Sequence, residues 1–87
     1  MSYSYTLSDD FRSGFVALPF WIQEDILDEL EVLLANPSQL IVRQGSDLAV
    51  HDFTRTRGGV VHYVFLTIQP DFAGENLLLV RVGHVVA

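Results

Sequence analysis

The sequence predicts a single α+β domain over residues 1–87. It has an N-terminal strand, a helical hairpin, and then an antiparallel β-meander with the helices packed on one face. Three observations predict it. Apolar residues between Phe20 and Asn36 recur at helical spacing. Beyond Pro37 the period changes to two. Gly58-Gly59 lies between two strand patterns, the signature of a tight hairpin. A chain of 87 residues can cover one sheet with one layer of helices.

Tyr3, Tyr5 and Leu7 alternate with Ser4 and Thr6, which predicts a short first strand. Ser8 can cap a helix whose first turn holds Asp9 and Asp10, favourable at its positive end. Phe11, Phe15 and Leu18 follow at helical spacing, Gly14 weakens the helix, and Pro19 either ends it or opens the next. In the second helix Ile22, Ile26, Leu30, Leu33 and Leu34 form the apolar face. Glu24, Asp25, Asp28 and Glu31 lie mostly opposite, as a solvated acidic face or a docking surface for a basic partner. Asn36-Pro37 stops it. "QLIVR" reads as a short strand, and "LAVHDFTRTR", "VVHYVFLTIQ" and "NLLLVRVGHVV" as longer ones. The last two carry runs apolar on both faces, so the side away from the helices is expected to be covered by another chain or a ligand.

The hydrophobic fraction of 49% is high for so small a domain and implies an exposed apolar patch, the usual mark of a partner or dimer interface. With no cysteine there is neither disulfide nor cysteine-based zinc site, which fits a cytoplasmic protein. The longest uncharged run, Gly58 to Pro70, is too short to span a membrane, and "MSYSYTLSDD" lacks a signal core. Net charge is −6. Residues 1–42 carry seven acids and one arginine, whereas 43–87 carry four acids, four arginines and all three histidines. That balance opposes non-specific nucleic-acid binding but leaves room for a local cationic site.

Such a site is suggested around Gly58-Gly59. A two-residue loop there sets Arg57 opposite Val60 and Arg55 opposite His62, so Arg55, Arg57 and His62 share one face. The following hairpin adds either Arg81 or His84, depending on register. Arginine forks fit phosphate oxygens, and histidine transfers protons near neutral pH. Metal-free RNA cleavage needs those roles. The competing reading is ordinary exposed arginines and a structural histidine. The three histidines lie on three strands without close spacing or an acidic companion, so no metal and no cofactor is expected.

The order "YSYTLSDDF", "LPFWIQEDILDELEVLLANP", "RTRGGVVHYVFLTI", "LLLVRVGHV" resembles, over nearly the whole chain, the RelE/ParE superfamily of toxins from bacterial toxin–antitoxin modules. The resemblance implies an antiparallel sheet with two helices on one face. It implies messenger RNA held on the other, concave face at the ribosome in RelE-like members, and a neutralising antitoxin partner. ParE-like relatives instead inhibit DNA gyrase. Arg55 and Arg57 match the basic positions before the turn, and His84 the histidine of the Val-Gly-His element. The arginine of the central strand falls on His62 and that after Val-Gly-His on Val85, and the family's C-terminal tyrosine has no counterpart. Strand parity favours Arg81 on the concave face and His84 toward the core.

Two functions follow. One is a catalytically degenerate toxin-like protein that binds an antitoxin-like partner or itself as a homodimer. The other is an active, metal-independent endoribonuclease cleaving messenger RNA, with His62 as acid–base, Arg81 beside it, and Arg55 and Arg57 on phosphate.

Overall fold

The structure, a computed structural model, describes residues 3–87; Met1 and Ser2 of the expected domain lie outside the described residues. Its elements are β1 (Ser4–Leu7), α1 (Asp9–Val16), α2 (Phe20–Ala35), a 3-10 turn (Pro37–Gln39), β2 (Ala49–Arg57), β3 (Val60–Asp71) and β4 (Asn76–Val86). The strands form one sheet in the order β1-β4-β3-β2. β2, β3 and β4 are an antiparallel meander, whereas β1 runs parallel to β4, from Ser4 opposite Asn76 to Leu7 opposite Leu79. The sheet is therefore mixed rather than wholly antiparallel. Parallel pairing follows from connectivity: the helical hairpin and the meander lie between the two strands, so no tight turn dictates their direction.

Ser8 links the first strand to the first helix. Its Oγ accepts from the Phe11 N–H at 3.0 Å and donates to the Val80 carbonyl at 2.6 Å, while its own N–H donates to Leu79 at 3.0 Å. One serine thus caps α1 and ties the cap to β4. Gly14, which looks like a weak point in the helix, lets α1 approach β4. A Cβ there would stand 2.9 Å from Val82 Cγ1. Pro19 sits just before α2, where a missing N–H costs nothing, and Asn36-Pro37 ends it as expected.

"QLIVR" is not a strand. Pro37 is drawn into the 3-10 turn, Leu40 is buried in the core, and Val42 makes a single bridge to Ala49. Phe11, Ile22, Ile26, Leu30 and Leu33 from the helices close on Ala49, Val64, Leu66, Ile68, Leu77 and Leu79 from the sheet. Each of these side chains apart from Ala49, fully buried, contributes about 1.5–3 kcal/mol. The even-numbered residues of β3 therefore face the helices. Its odd-numbered residues Val61, Tyr63, Phe65, Thr67 and Gln69 face away, onto a side that no helix or strand among the described residues covers.

Candidate functional site

Gly58 and Gly59 have φ of 59° and 78°, the left-handed pair that a tight hairpin turn requires. The register is as the turn chemistry predicts: Arg57 pairs with Val60, and Arg55 with His62. Arg55, Arg57 and His62 do share a face. That face is the one α2 covers, because His62 has the parity of Val64, Leu66 and Ile68.

The consequence is a ladder between α2 and β2. Trp21, Asp25 and Glu29 recur every four residues along the flank of α2. The Arg57 guanidinium lies over the Trp21 ring, 4.7 Å from its centroid. Arg55 places Nε 3.4 Å from Asp25 Oδ2 and donates through Nη2 to Glu29 Oε1 at 3.1 Å. His51 Nε2 donates to the other Glu29 oxygen at 3.0 Å. Four helical residues advance about 6 Å and two strand residues about 6.7 Å, so the rungs stay matched along the run. Burial raises the Glu29 pKa, but the hydrogen bonds from His51 and Arg55, with their charges, outweigh it and hold the carboxyl below its ordinary 4.5. Part of the acidic face of α2 is thus turned inward onto the sheet.

At the turn end of this ladder lie two histidines. β3 and β4 pair His62 with Val86 and Val64 with His84, a register beyond both expected ones, and it brings His84 diagonally beside His62. His62 Nδ1 stands 3.0 Å from His84 Nε2. The ring planes differ by 10° with centroids 5.3 Å apart, so the rings meet edge to edge through their nitrogens and not face over face. One nitrogen donates and the other accepts. The Trp21 ring meets His62 edge-on at 4.9 Å. Burial, and then the charge of His62, hold the His84 pKa below its ordinary 6.5. The pair can share or pass a single proton and resists taking a second.

Arg81 does not join this group. A bulge between Thr67 and Ile68 leaves Val80 as an extra residue and sets Arg81 opposite Thr67, at a register position of the uncovered face. Its guanidinium is 3.9 Å from Asp10, with both side chains mostly exposed. The parity expectation for Arg81 and for the inward turn of His84 therefore agrees with the register, and the structure divides the four candidate residues. Arg55, Arg57 and His62 lie on the helix side, and Arg81 on the other. A hollow on the uncovered side, beside the 41–48 loop, is lined by Ile41, Arg43, Ser46, Leu48, Val50 and Thr67. It holds neither a histidine nor a carboxylate.

Sequence reasoning missed Glu29, Trp21 and His51. The signal was present in the i, i+4, i+8 repeat of Trp21, Asp25 and Glu29 beside the apolar stripe of α2. Among the described residues no group of three His, Cys, Asp or Glu could hold a metal ion, and no helix is long and apolar enough to cross a membrane. No family model, curated protein or solved structure matches the chain.

Proposed function

We propose that this chain is a catalytically degenerate protein on a RelE/ParE-like scaffold, acting in the cytoplasm by binding an antitoxin-like partner or itself through the uncovered sheet face. One observation carries this reading. Arg55, which a nuclease would need for phosphate, is held between Asp25 and Glu29. A phosphate arriving there would have to displace two carboxylates already in place, and their negative charge repels it. Arg81, the other arginine of the expected site, lies on the opposite side. The order of a strand, a helical hairpin and a three-stranded meander supports this reading. The test is expression of the full chain alone, followed by growth and messenger RNA integrity, and co-purification with the product of any adjacent small reading frame. Normal growth with a stable complex supports the reading. RNA loss that depends on His62 overturns it.

The alternative, a metal-independent endoribonuclease, is favoured by the His62–His84 contact, since a neutral imidazole hydrogen-bonded to another is a competent proton acceptor. In this reading His62 is the acid–base residue and Arg57, the arginine of its own face that no carboxylate holds, serves the phosphate, whereas Arg81 lies on the opposite side. His62→Ala would then abolish toxicity, while a change at the exposed Asp28 would not.

A further inference from the structure

The uncovered face of β2, β3 and β4 forms a grid of paired positions. Its rows are Val50–Thr67–Arg81, Asp52–Phe65–Gly83, Thr54–Tyr63–Val85 and, at the Gly-Gly end, Thr56–Val61. The middle is apolar. Tyr63 and Phe65 stack with centroids 5.4 Å apart, and the Phe65 ring lies against Gly83, where a Cβ would be 3.4 Å from its Cδ2. Val50 and Val85 remain more than half exposed, and Tyr63 is 40% exposed. Charge is nearly absent from this grid although the chain carries −6. Seven of the acids sit on α1 and α2, on the other side of the sheet. Aromatic enrichment with charge depleted from the centre is the composition of an interface core.

The two charges the grid does carry select the occupant. Asp52 lies on the β2 edge and Arg81 on the β4 edge, one row apart. We propose that a second copy of this chain covers the face, β3 over β3, about a two-fold axis parallel to the strands. This specifies the binding reading above and rests on it. Such an axis exchanges the β2 and β4 edges. Asp52 of each copy then lies over the Gly83 row of the other, where Gly83 adds no side chain of its own and Arg81 is the neighbouring cation. Both ion pairs form at once, as a self-complementary interface requires. An axis across the strands would set β2 on β2 and bring the two Asp52 carboxylates toward each other. Arg81 is available for the exchange, because its intramolecular partner Asp10 is 3.9 Å away and both side chains are largely in solvent. Sheet-to-sheet packing also puts the acidic helices outermost, where the repulsion between two copies of charge −6 is least. Aligned sheets pack in this way about 10 Å apart.

The experiment is the molar mass of the full chain by light scattering during size-exclusion chromatography. Wild type is expected at twice the chain mass of 9.8 kDa. Asp52→Arg and Arg81→Asp should each weaken the dimer about tenfold or more by facing like charges, and the double exchange should restore it. Tyr63→Glu should give a monomer whose circular dichroism matches wild type. A monomeric wild type, a dimer unaffected by Asp52→Arg and Tyr63→Glu, or a double exchange that fails to recover the dimer overturns the proposal. A monomeric wild type that binds a defined adjacent-frame product, with binding lost in Tyr63→Glu, overturns the dimer and leaves the binding reading standing. A monomer that instead shifts single-stranded RNA overturns both.

Discussion

The Arg55 guanidinium lies 3.1 Å from Glu29, and this contact decides what the arginines ahead of the Gly-Gly turn do. They fasten α2 to β2. The same carboxylate also accepts from His51, so Glu29 holds two positions of β2 at once. Glu29→Gln should therefore destabilise the fold by about 1–2 kcal/mol, as expected for hydrogen bonds to a partly exposed charge. Asp28→Asn, one residue earlier and exposed, should stay within about 0.5 kcal/mol of wild type. Urea denaturation at neutral pH checks both.

The same contact predicts an acid dependence. The native Glu29 pKa is below 4.5, so the unfolded chain binds the proton more readily. The stability it contributes is complete above that ordinary value and is lost as pH falls through the lower native one. Wild type and Glu29→Gln should differ most at neutral pH and converge in acid. Denaturation curves of both proteins across that range measure it, and a gap that widens on acidification would refute it.

His84 makes a second, separate prediction at milder pH. Its native pKa lies below 6.5, so the unfolded state binds its proton first and acidification from 6.5 downward costs stability. His84→Gln should remove that slope. In histidine-resolved NMR titrations, His62→Ala should move the His84 midpoint upward, because it deletes the neighbouring charge. A His84 midpoint at or above 6.5 in wild type would refute the prediction that burial and the neighbouring His62 charge lower it.

Gly14 reverses a common rule. Glycine to alanine within a helix normally stabilises by about 1 kcal/mol. Here the new Cβ meets Val82 at 2.9 Å, so Gly14→Ala should destabilise. The nearest atom is the end of a side chain, so Val82→Ala should relieve it. A double-mutant cycle by thermal melting should show Gly14→Ala harmful alone and neutral or favourable beside Val82→Ala.

The turn is the fourth place to test. Gly59 at φ 78° resists a Cβ, so Gly59→Ala should cost about 1–2 kcal/mol. Gly58→Asn should be better tolerated, since asparagine adopts that conformation more readily. Equilibrium unfolding separates the two.

What the sequence disclosed follows from how local each determinant is. The Gly58-Gly59 turn fixes the Arg55–His62 pairing within a few residues, and the apolar stripe of α2 ends at Asn36-Pro37. The β3–β4 register depends on a four-residue turn and on the bulge that leaves Val80 unpaired, and neither is written in the period-two pattern. The side of the sheet taken by the helices was equally hidden. Val64, Leu66 and Ile68 are apolar, but so are Val61, Tyr63 and Phe65, and alternation cannot choose between two apolar parities. "QLIVR" misled because only Leu40 of it enters the core, Ile41 is exposed, and Val42 touches β2 at one bridge.

The parallel seating of β1 against Leu77 and Leu79 bears on how the molecule comes into being. The first strand can find its neighbour only after residue 79 has been made, and α1 is anchored through Ser8 to the carbonyl of Val80. A nascent chain that has left the ribosome only as far as β3 holds helices and a hairpin whose apolar faces have no final cover. Closure joins segments more than seventy residues apart, the slow kind of contact. This domain thus closes only once β4 has been made, and a chain cut short before that strand would lack Leu77 and Leu79 from its core and leave β1 without its partner.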